Sequence, residues 1–344
     1  MDRTFGIEGM VKFAFRQGQF SYAPGLALMP DTRTLIYGHY VKDYTDVVPA
    51  LLCVTQEGAI DNTFANQGIF VVSEPLENEY YTTNSACILP DNSIFMVYGK
   101  KSDGLWKTYI TKLTPDGCID ESFADLGVRE FQHQGQSTKP GGILILRNGH
   151  FVVFSDDMEG EPNTPVFIAC FDTHGVLVPS FAEQGVLTLA YDDKIYSQIS
   201  LVETPTGLVS IGHRSFRDDP NTRDGMMVGI TFEGQLDVSF NHANPVIITF
   251  PPISPLLCHQ IVCQADAKLV IAGYRAASDP APQGMIGRYL PDGTPDDSFG
   301  QNGLASTGTF VHTSSTHGIA LGPKNRIVCA GDHDRHGVLA CFLG

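Results

Sequence analysis

The stretch DESFADLG, residues 120–127, decides the fold because close variants of it recur along the chain. DNTFANQG occupies residues 61–68, and DDSFGQNG occupies residues 296–303. Aligned on the aromatic residue of this motif, the recurring positions are Phe5, Phe64, Phe123, Phe181, Phe240 and Phe299. Their spacings of 59, 59, 58, 59 and 59 residues divide the 344-residue chain into six repeats.

The residues around each Phe predict a turn. Asp stands three residues before the Phe in every repeat except one, where Val178 replaces it, and Ser or Thr directly precedes every Phe. Such side chains bond to nearby backbone groups in Asx-type turns. Gly stands four residues after the Phe, with Asn244 as the exception, which predicts a left-handed backbone there. We therefore predict a structural turn with the Phe as a core anchor, not a metal or catalytic site.

Between these motifs, each repeat reads as short apolar strands separated by turns. The second repeat contains SACILP, IFMVYG and KTYITKL, and a segment such as GVREF after the Phe motif adds a fourth strand. Four antiparallel strands repeated around a circle are the unit of a β-propeller. The chain ends with GVLACFLG, which matches third strands, and begins with MDRTFGIEG, which normally follows them. We therefore predict one all-β domain over residues 1–344, a six-bladed β-propeller with four antiparallel strands per blade, in which the N-terminal strand completes the C-terminal blade.

The repeat resembles that of the bacterial delta-60 repeat family, whose units end in a similar "DG.lD.sFg..G" phrase. The resemblance covers essentially all 344 residues. It implies a propeller, and it implies no particular activity because the role of the family is unsettled. Val178, Asn244 and the shortened turn after Gly344 depart from the pattern.

The charge balance limits the partners. The formal net charge of −16 would repel a phosphate backbone or an anionic membrane surface, so we expect no nucleic acid as a partner. The sequence shows no export signal and no run of about 18 apolar residues, so we expect no membrane insertion. The eight cysteines form no CxxC pair, which favours free thiols. We expect a soluble monomer that is cytoplasmic or secreted by a signal-independent route.

Function is expected where the repeats differ, which is the face formed by the long loops between the second and third strands and by the residues leading into each first strand. Polar residues cluster there in the alignment. The candidate ligand-binding residues are Tyr22, Asn84, Tyr196, Gln198, His259, Gln260 and His317. Amides, hydroxyls and imidazoles donate and accept hydrogen bonds without demanding charge, which suits a glycan or a peptide backbone. The alternative is that the amides only bind buried water.

A metal site is a second hypothesis. The candidate ligands are His39, His213, His259, His317 and Asp332. They would bind Ca²⁺ or Zn²⁺ only if several side chains converge on one point. No cofactor is otherwise predicted.

Three functions follow from these patterns. We favour a non-enzymatic binding or scaffold propeller that recognises a protein, peptide or glycan through the variable-loop face. The alternative is a metal-dependent hydrolase or lyase with its site at the mouth of the central channel. A third reading is a structural part of a larger assembly, with an exposed apolar patch on an outer blade wall. The sequence contains no G-x-S-x-G elbow leading into a helix, so catalysis is not favoured.

Overall fold

The protein is described by a computed structural model. It describes residues 4, 6–7, 10–42, 46–73, 76, 79–82, 85–155, 166–189, 194–216, 223–250, 254–275, 283–306, 319–322, 326–333 and 336–342. In some strand segments it describes the backbone alone. The chain divides into two compact units, Met1–Ser155 with Ala169–Val178, and Asp156–Ile168 with Pro179–Gly344.

The first sheet contains four antiparallel strands in sequential order. They are β1 (Phe20–Leu28), β2 (Thr34–Val41), β3 (Val47–Val54) and β4 (Ile69–Val71). Strand β3 is apolar throughout because both of its faces are covered, and successive side chains point to opposite faces.

The second sheet has the same order with a divided first strand. Its strands are β5 (Tyr80–Tyr81), β6 (Ser85–Ile88), β7 (Ile94–Ser102), β8 (Leu105–Leu113) and β9 (Val128–Phe131). Strands β5 and β6 both pair with β7, so together they occupy the place of one first strand.

A third sheet has the order β10 (Pro140–Ile145), β11 (Phe151–Ser155), β12 (Val166–Phe171) and β13 (Val186–Leu189).

The fourth sheet has eight strands in sequential order. They are β14 (Lys194–Glu203), β15 (Gly207–Phe216), β16 (Arg223–Thr231), β17 (Val246–Phe250), β18 (Ser254–Cys263), β19 (Leu269–Arg275), β20 (Gln283–Tyr289) and β21 (Leu304–Ser306). A short 3₁₀ helix, Asn241–Ala243, precedes β17. The fifth sheet contains β22 (Ile319–Leu321), β23 (Ile327–His333) and β24 (His336–Phe342).

The prediction of six blades is wrong. The described part of the chain forms five blades, because β17 pairs with β18 through Thr249 and Pro255 and through Phe250 and Ser254. This pairing joins two repeats into the eight-stranded sheet, since the strand that ends one repeat runs antiparallel beside the strand that begins the next.

The predicted closure by the N-terminal strand is also wrong. Within the described ranges, no residue of the N-terminal segment joins β22–β24. Instead, Phe15 is buried against Tyr40 and Val48 of the first sheet, and Val11 and Phe13 pack against the same cluster. Burial of these apolar side chains holds the segment on the first sheet.

The Phe motif forms the predicted Asx-type turn. The Oδ1 atom of Asp120 accepts hydrogen bonds from the Ser122 backbone N–H at 3.1 Å and from the Ser122 hydroxyl at 2.5 Å. The Phe123 N–H donates to the Asp120 carbonyl at 3.0 Å, and the Phe123 side chain is buried. The same pattern occurs in the repeats whose motifs begin at Asp61, Asp237 and Asp296.

The left-handed residue after the Phe is confirmed in four repeats. Gly68, Gly127, Gly185 and Gly303 have φ values of +91°, +91°, +95° and +78°. Asn244 is the exception, with φ of −99°. Three residues before it, 241–243, take positive φ instead, and the Asn244 side chain donates to the carbonyls at 241 and 242.

Several Phe motifs also connect one repeat to the next. The Ala65 N–H donates to the Asp116 carbonyl at 2.7 Å, and the Ala182 N–H donates to the Glu233 carbonyl at 2.6 Å. In the same place, the Phe64 ring lies against Gly117, where an added Cβ would be 2.7 Å from the ring. The motif is therefore an interlock between neighbouring repeats, which explains why the chain repeats it.

Carboxylates of the motif are neutralised by basic residues. Asp120 pairs with Lys112 at 2.8 Å, and Asp61 pairs with Arg33 at 3.0 Å. Asp296 pairs with Arg288 at 2.8 Å. The carboxylates of these Phe motifs are thus already engaged in contacts within the protein.

Candidate functional site

The candidate site is built on a bulge in the first strand of the repeats. In β14, the pairing with β15 shifts between Gln198 and Ser200, and in β18 the pairing with β19 shifts between Cys258 and Gln260. Strands β1 and β10 shift at comparable places. An extra residue on one strand bends that strand and re-aims its side chains.

Glycine on the second strand makes room for this bulge. A Cβ on Gly38 would run into the carbonyl of Tyr22, and a Cβ on Gly212 would run into the carbonyl of Ser197. The residue that follows each Gly is a histidine in these two repeats, His39 and His213. This close approach explains the Gly that ends the second strand in the sequence pattern.

In the first sheet, the structure places Tyr22 beside His39. The two residues are cross-strand partners, and their ring centroids are 5.4 Å apart with an interplanar angle of 42°. Tyr22 is exposed, whereas His39 is buried. Burial lowers the pKa of His39, which favours the neutral form of its imidazole. Its Nδ1 atom is buried and has no hydrogen-bond partner among the described residues.

In the second unit, Gln198 is the most unusual polar residue of the predicted set. Its side chain is only 4% exposed. Neither its Nε2 nor its Oε1 atom has a hydrogen-bond partner in the described part of the chain. An amide donates two hydrogen bonds and accepts two, so the whole bonding capacity of this side chain is unused.

Gln260 has a different role from Gln198. Its Oε1 atom accepts a hydrogen bond from the Ile319 N–H at 2.7 Å, just as the Ser200 hydroxyl accepts one from the Ile261 N–H at 3.4 Å. Ser200 and Gln260 are therefore equivalent positions that link neighbouring first strands. Gln198 is equivalent to Cys258, so the two glutamines do not occupy equivalent positions of their strands.

The two histidines of this unit are buried to different degrees. His213 is buried and is the cross-strand partner of Ser197, whereas His259 is the bulge residue of β18 and is half-buried. Burial lowers the pKa of His259. A neutral imidazole at this position is a hydrogen-bonding group rather than a cation.

Four predicted site residues cannot be placed at the level of side chains. Asn84 and His317 lie outside the described residues. Tyr196 lies in β14 and Asp332 in β23, where the structure describes only the backbone.

The metal ligand set is not assembled by the described residues. Among them, no three His, Cys, Asp or Glu side chains are grouped so that they could hold a metal ion. His39 belongs to the first compact unit, and His213 and His259 belong to the second.

A second polar cluster was not recognised from the sequence. The Nζ atoms of Lys101 and Lys139 lie 5.5 Å and 5.6 Å from the ring centroid of Trp106. The Trp106 N–H of the backbone donates to the Ser137 hydroxyl at 3.0 Å, and the Thr138 N–H donates to the Trp106 carbonyl at 2.8 Å. These bonds fix the segment before β10 against the start of β8. The feature of the sequence that could have indicated this cluster is the KKSDGLW loop, which contains two lysines and the single Trp of the chain.

Two further lysines of the same hairpin, Lys100 and Lys107, are cross-strand partners on its opposite face, and both have carboxylate partners. Lys100 pairs with Glu79 at 2.8 Å, and Lys107 pairs with Glu130 at 2.6 Å. The hydrogen bond from each lysine is the main reason why the pKa of its glutamate is lowered. Lys139 is different, since no carboxylate in the described ranges pairs with it.

Comparison with known proteins places the fold. A family model described as a domain of unknown function (DUF5122) beta-propeller matches residues 264–299. A crystal structure of a protein of unknown function from Dyadobacter fermentans is similar with a TM-score of 0.52 and 10% identity, covering 96% of each chain. At this identity the likeness shows the fold alone. With the repeated antiparallel sheets, it defines an all-β β-propeller.

Other solved structures are less similar. A protein of unknown function from Bacteroides caccae has a TM-score of 0.47 and 12% identity, covering 85% of this chain and 88% of that chain. Virginiamycin B lyase from Staphylococcus aureus has a TM-score of 0.43 and 12% identity, covering 94% and 95%. Neither likeness supports a functional conclusion.

No curated protein matches the sequence. Across the described residues, no helix is long and apolar enough to span a bilayer.

Proposed function

We propose that this protein is a non-enzymatic recognition propeller that binds a protein, peptide or glycan at the bulged ends of its first strands. The observation that supports this proposal best is the side chain of Gln198, which is buried with both amide atoms unbonded among the described residues. The alternative is that Gln198 only forms hydrogen bonds with buried water.

The energetic reason is that an unpaired buried polar group is costly. Leaving one buried donor or acceptor unsatisfied costs about 1–3 kcal/mol. A ligand that presents a hydroxyl or a peptide group to Gln198 would recover this free energy on binding. Amides suit both glycans and peptide backbones, because each amide donates and accepts at once.

The carboxylates of the described Phe motifs offer no comparable capacity. Its carboxylates bond to hydroxyls and backbone N–H groups within the same motif, and several also pair with basic side chains. Among the described residues, the Phe motifs are therefore a poorer ligand site than the first strand that carries Gln198.

The remaining parts of the proposal come from the sequence. The delta-60 repeat resemblance is retained as the proposed family. We propose a monomer that needs no cofactor, does not bind nucleic acid and does not insert into membranes, located in the cytoplasm or secreted without a signal.

The test uses two glutamines on equivalent strands. The protein is first screened against glycan and peptide arrays. Gln198→Met should abolish binding of the best ligand while leaving the free energy of unfolding unchanged or higher, because it removes unbonded polar atoms without leaving a cavity. Gln260→Met is the matched control, and it should lower stability because Gln260 accepts the Ile319 N–H.

Binding that survives Gln198→Met would show that this amide serves only water or packing. No ligand in either array, together with near-stoichiometric Ca²⁺ or Zn²⁺ in the purified protein, would replace the proposal with the metal-dependent hydrolase or lyase.

A further inference from the structure

We infer that the free edge of β1 is a docking site for an extended, apolar peptide of a partner protein, which adds to the first sheet as a further strand. The inference rests on the proposed recognition function and narrows the ligand at this place to a peptide. It uses residues of the first compact unit, whereas Gln198 belongs to the second.

The backbone of β1 has hydrogen-bonding groups to offer at this edge. Within the described ranges, β1 pairs only with β2. The Met29 N–H donates to the Arg33 carbonyl at 2.9 Å, on the side of β2. Because the backbone groups of a strand point alternately to its two sides, those of Leu26 and Leu28 point away from β2. The register with β2 is regular over this part of β1, so the edge offers two N–H and two C=O groups to a further strand.

The side chains beside these groups are exposed and apolar. Leu26 is 63% exposed and Leu28 is 74% exposed, and residues two apart on a strand share one face. Strand β1, FSYAPGLAL, contains no charged residue, although the chain carries a net charge of −16. Edge strands usually avoid pairing through charged residues, prolines or bulges, and in β1 the bulge and Pro24 lie before Gly25. The edge after Gly25 therefore suits an uncharged, apolar strand.

The equivalent position is covered in two later repeats. Ile261 and Ile319 stand three residues before the residue that closes the next turn, as Leu26 does. The Ile261 N–H donates to the Ser200 hydroxyl, the Ile319 N–H donates to the Gln260 amide oxygen, and both isoleucines are buried. These bonds come from the first strand of the preceding repeat, which contacts the strand it covers. In the described part of the chain, no group bonds to the Leu26 N–H in this way, so β1 keeps exposed the edge that later first strands cover.

The fold already contains a strand that pairs with a first strand at its outer edge. Strand β17 pairs antiparallel with β18 on the side opposite to β19. Its sequence, VIITF, is uncharged and mostly apolar. A peptide also fits this edge better than a glycan does, because an extended chain repeats its N–H and C=O groups every second residue, about 6.6 Å apart, in register with those of β1.

The probe is therefore a peptide with the sequence of β17. Acetyl-VIITF with a Ser-Gly-Ser tail and a fluorescent label is titrated with the full-length protein, and binding is followed by fluorescence anisotropy. Saturable binding is expected, and it should slow the amide hydrogen exchange of Leu26 and Leu28.

Two N-methylated peptides test whether the backbone is recognised. One carries N-methyl groups on the second and fourth residues of VIITF, and the other carries them on the first, third and fifth. An added strand uses one of its two edges, so one of these peptides should bind and the other should not. Equal binding of both would show apolar contact alone and would overturn strand addition.

Two lysine variants locate the site. Leu28→Lys should raise the Kd about tenfold or more, because the added strand would have to cover a charged ammonium group. Leu126→Lys is the matched control, since Leu126 is an equally exposed leucine of the same compact unit, and it should leave the Kd unaltered. Both leucines are exposed, so neither change should alter the free energy of unfolding measured in urea.

The outcomes separate this inference from the proposed function. Equal losses in the two lysine variants would reduce the effect to net charge and overturn the site. A concentration-dependent dimer of the unliganded protein that Leu28→Lys abolishes would replace the peptide with a second copy of the chain. An array ligand that depends on Gln198, with no binding of VIITF, would overturn this inference alone, whereas no ligand of any kind would overturn the recognition role as well.

Discussion

Replacement of Gly117 by alanine tests the interlock between repeats. Gly117 has a φ of +76°, and an added Cβ would be 2.7 Å from the Phe64 ring of the preceding motif. A left-handed backbone costs a residue with a Cβ about 1–2 kcal/mol. Overpacking against a buried side chain typically costs about 1–3 kcal/mol more. The variant should therefore lose about 3 kcal/mol of unfolding free energy.

Gly104→Ala is the matched control. Gly104 has a φ of +81°, but a Cβ there would meet nothing within 4 Å. This variant should carry the backbone cost alone, about 1–2 kcal/mol. Both changes lie in the same compact unit as Trp106, so urea unfolding followed by Trp fluorescence reports on both.

A double variant isolates the contact. In a Phe64→Leu background, Gly117→Ala should cost less than in the natural protein, because the smaller side chain withdraws from the added methyl group. Equal losses for Gly117→Ala and Gly104→Ala, or no coupling with Phe64, would refute the role of the Phe ring in fastening the repeats.

Three further outcomes follow from the structure. Phe64→Ala should cost about 3–5 kcal/mol of unfolding free energy, measured by urea denaturation, because the ring is fully buried between two sheets; a much smaller loss would contradict its role as an anchor. The pKa values of Asp61, Asp120 and Asp296 are lowered by hydrogen bonds from hydroxyls and by basic partners, so their contribution to stability is present above about pH 4 and is lost as the pH falls below it; urea midpoints that stay constant from pH 7 to pH 3 would disprove this. Elemental analysis should find no stoichiometric Ca²⁺ or Zn²⁺, and a chelator should not shift the melting temperature; a clear shift would direct attention to His213 and His259.

The sequence predicted the local structure of the repeat well. In the four described motifs that carry Asp, this Asp and the following Ser or Thr form the expected turn. The Phe is buried, and the predicted glycines in the described ranges adopt positive φ. These features depend on interactions between residues that are close together in the sequence, so they can be predicted from the local residue pattern. Asn244 departs from the prediction of a left-handed backbone. Its backbone is extended, and its side chain donates hydrogen bonds to the carbonyls of residues 241 and 242.

The candidate site was predictable in residue type but not in role. Gln198 and Gln260 look alike in the sequence, yet Gln260 links two strands and Gln198 is left without a bond among the described residues. The position of the bulge decides this difference, and a shift of one residue moves a side chain to another environment. The cluster around Trp106 was missed because Lys139 is distant from Lys101 in the chain and only the fold brings both to the same ring.

The sequence by itself therefore determined the all-β class, the repeat and its turn, since these follow from local residue preferences recurring at a constant spacing. Tertiary structure alone decided the number of blades and the place of the N-terminal segment. Both depend on which strand edges pair and which apolar side chains find a partner, as β17 pairs with β18 and Phe15 packs against Tyr40. These outcomes depend on the free energies of contacts between residues that are far apart in the sequence, and a local residue pattern carries no information about such contacts.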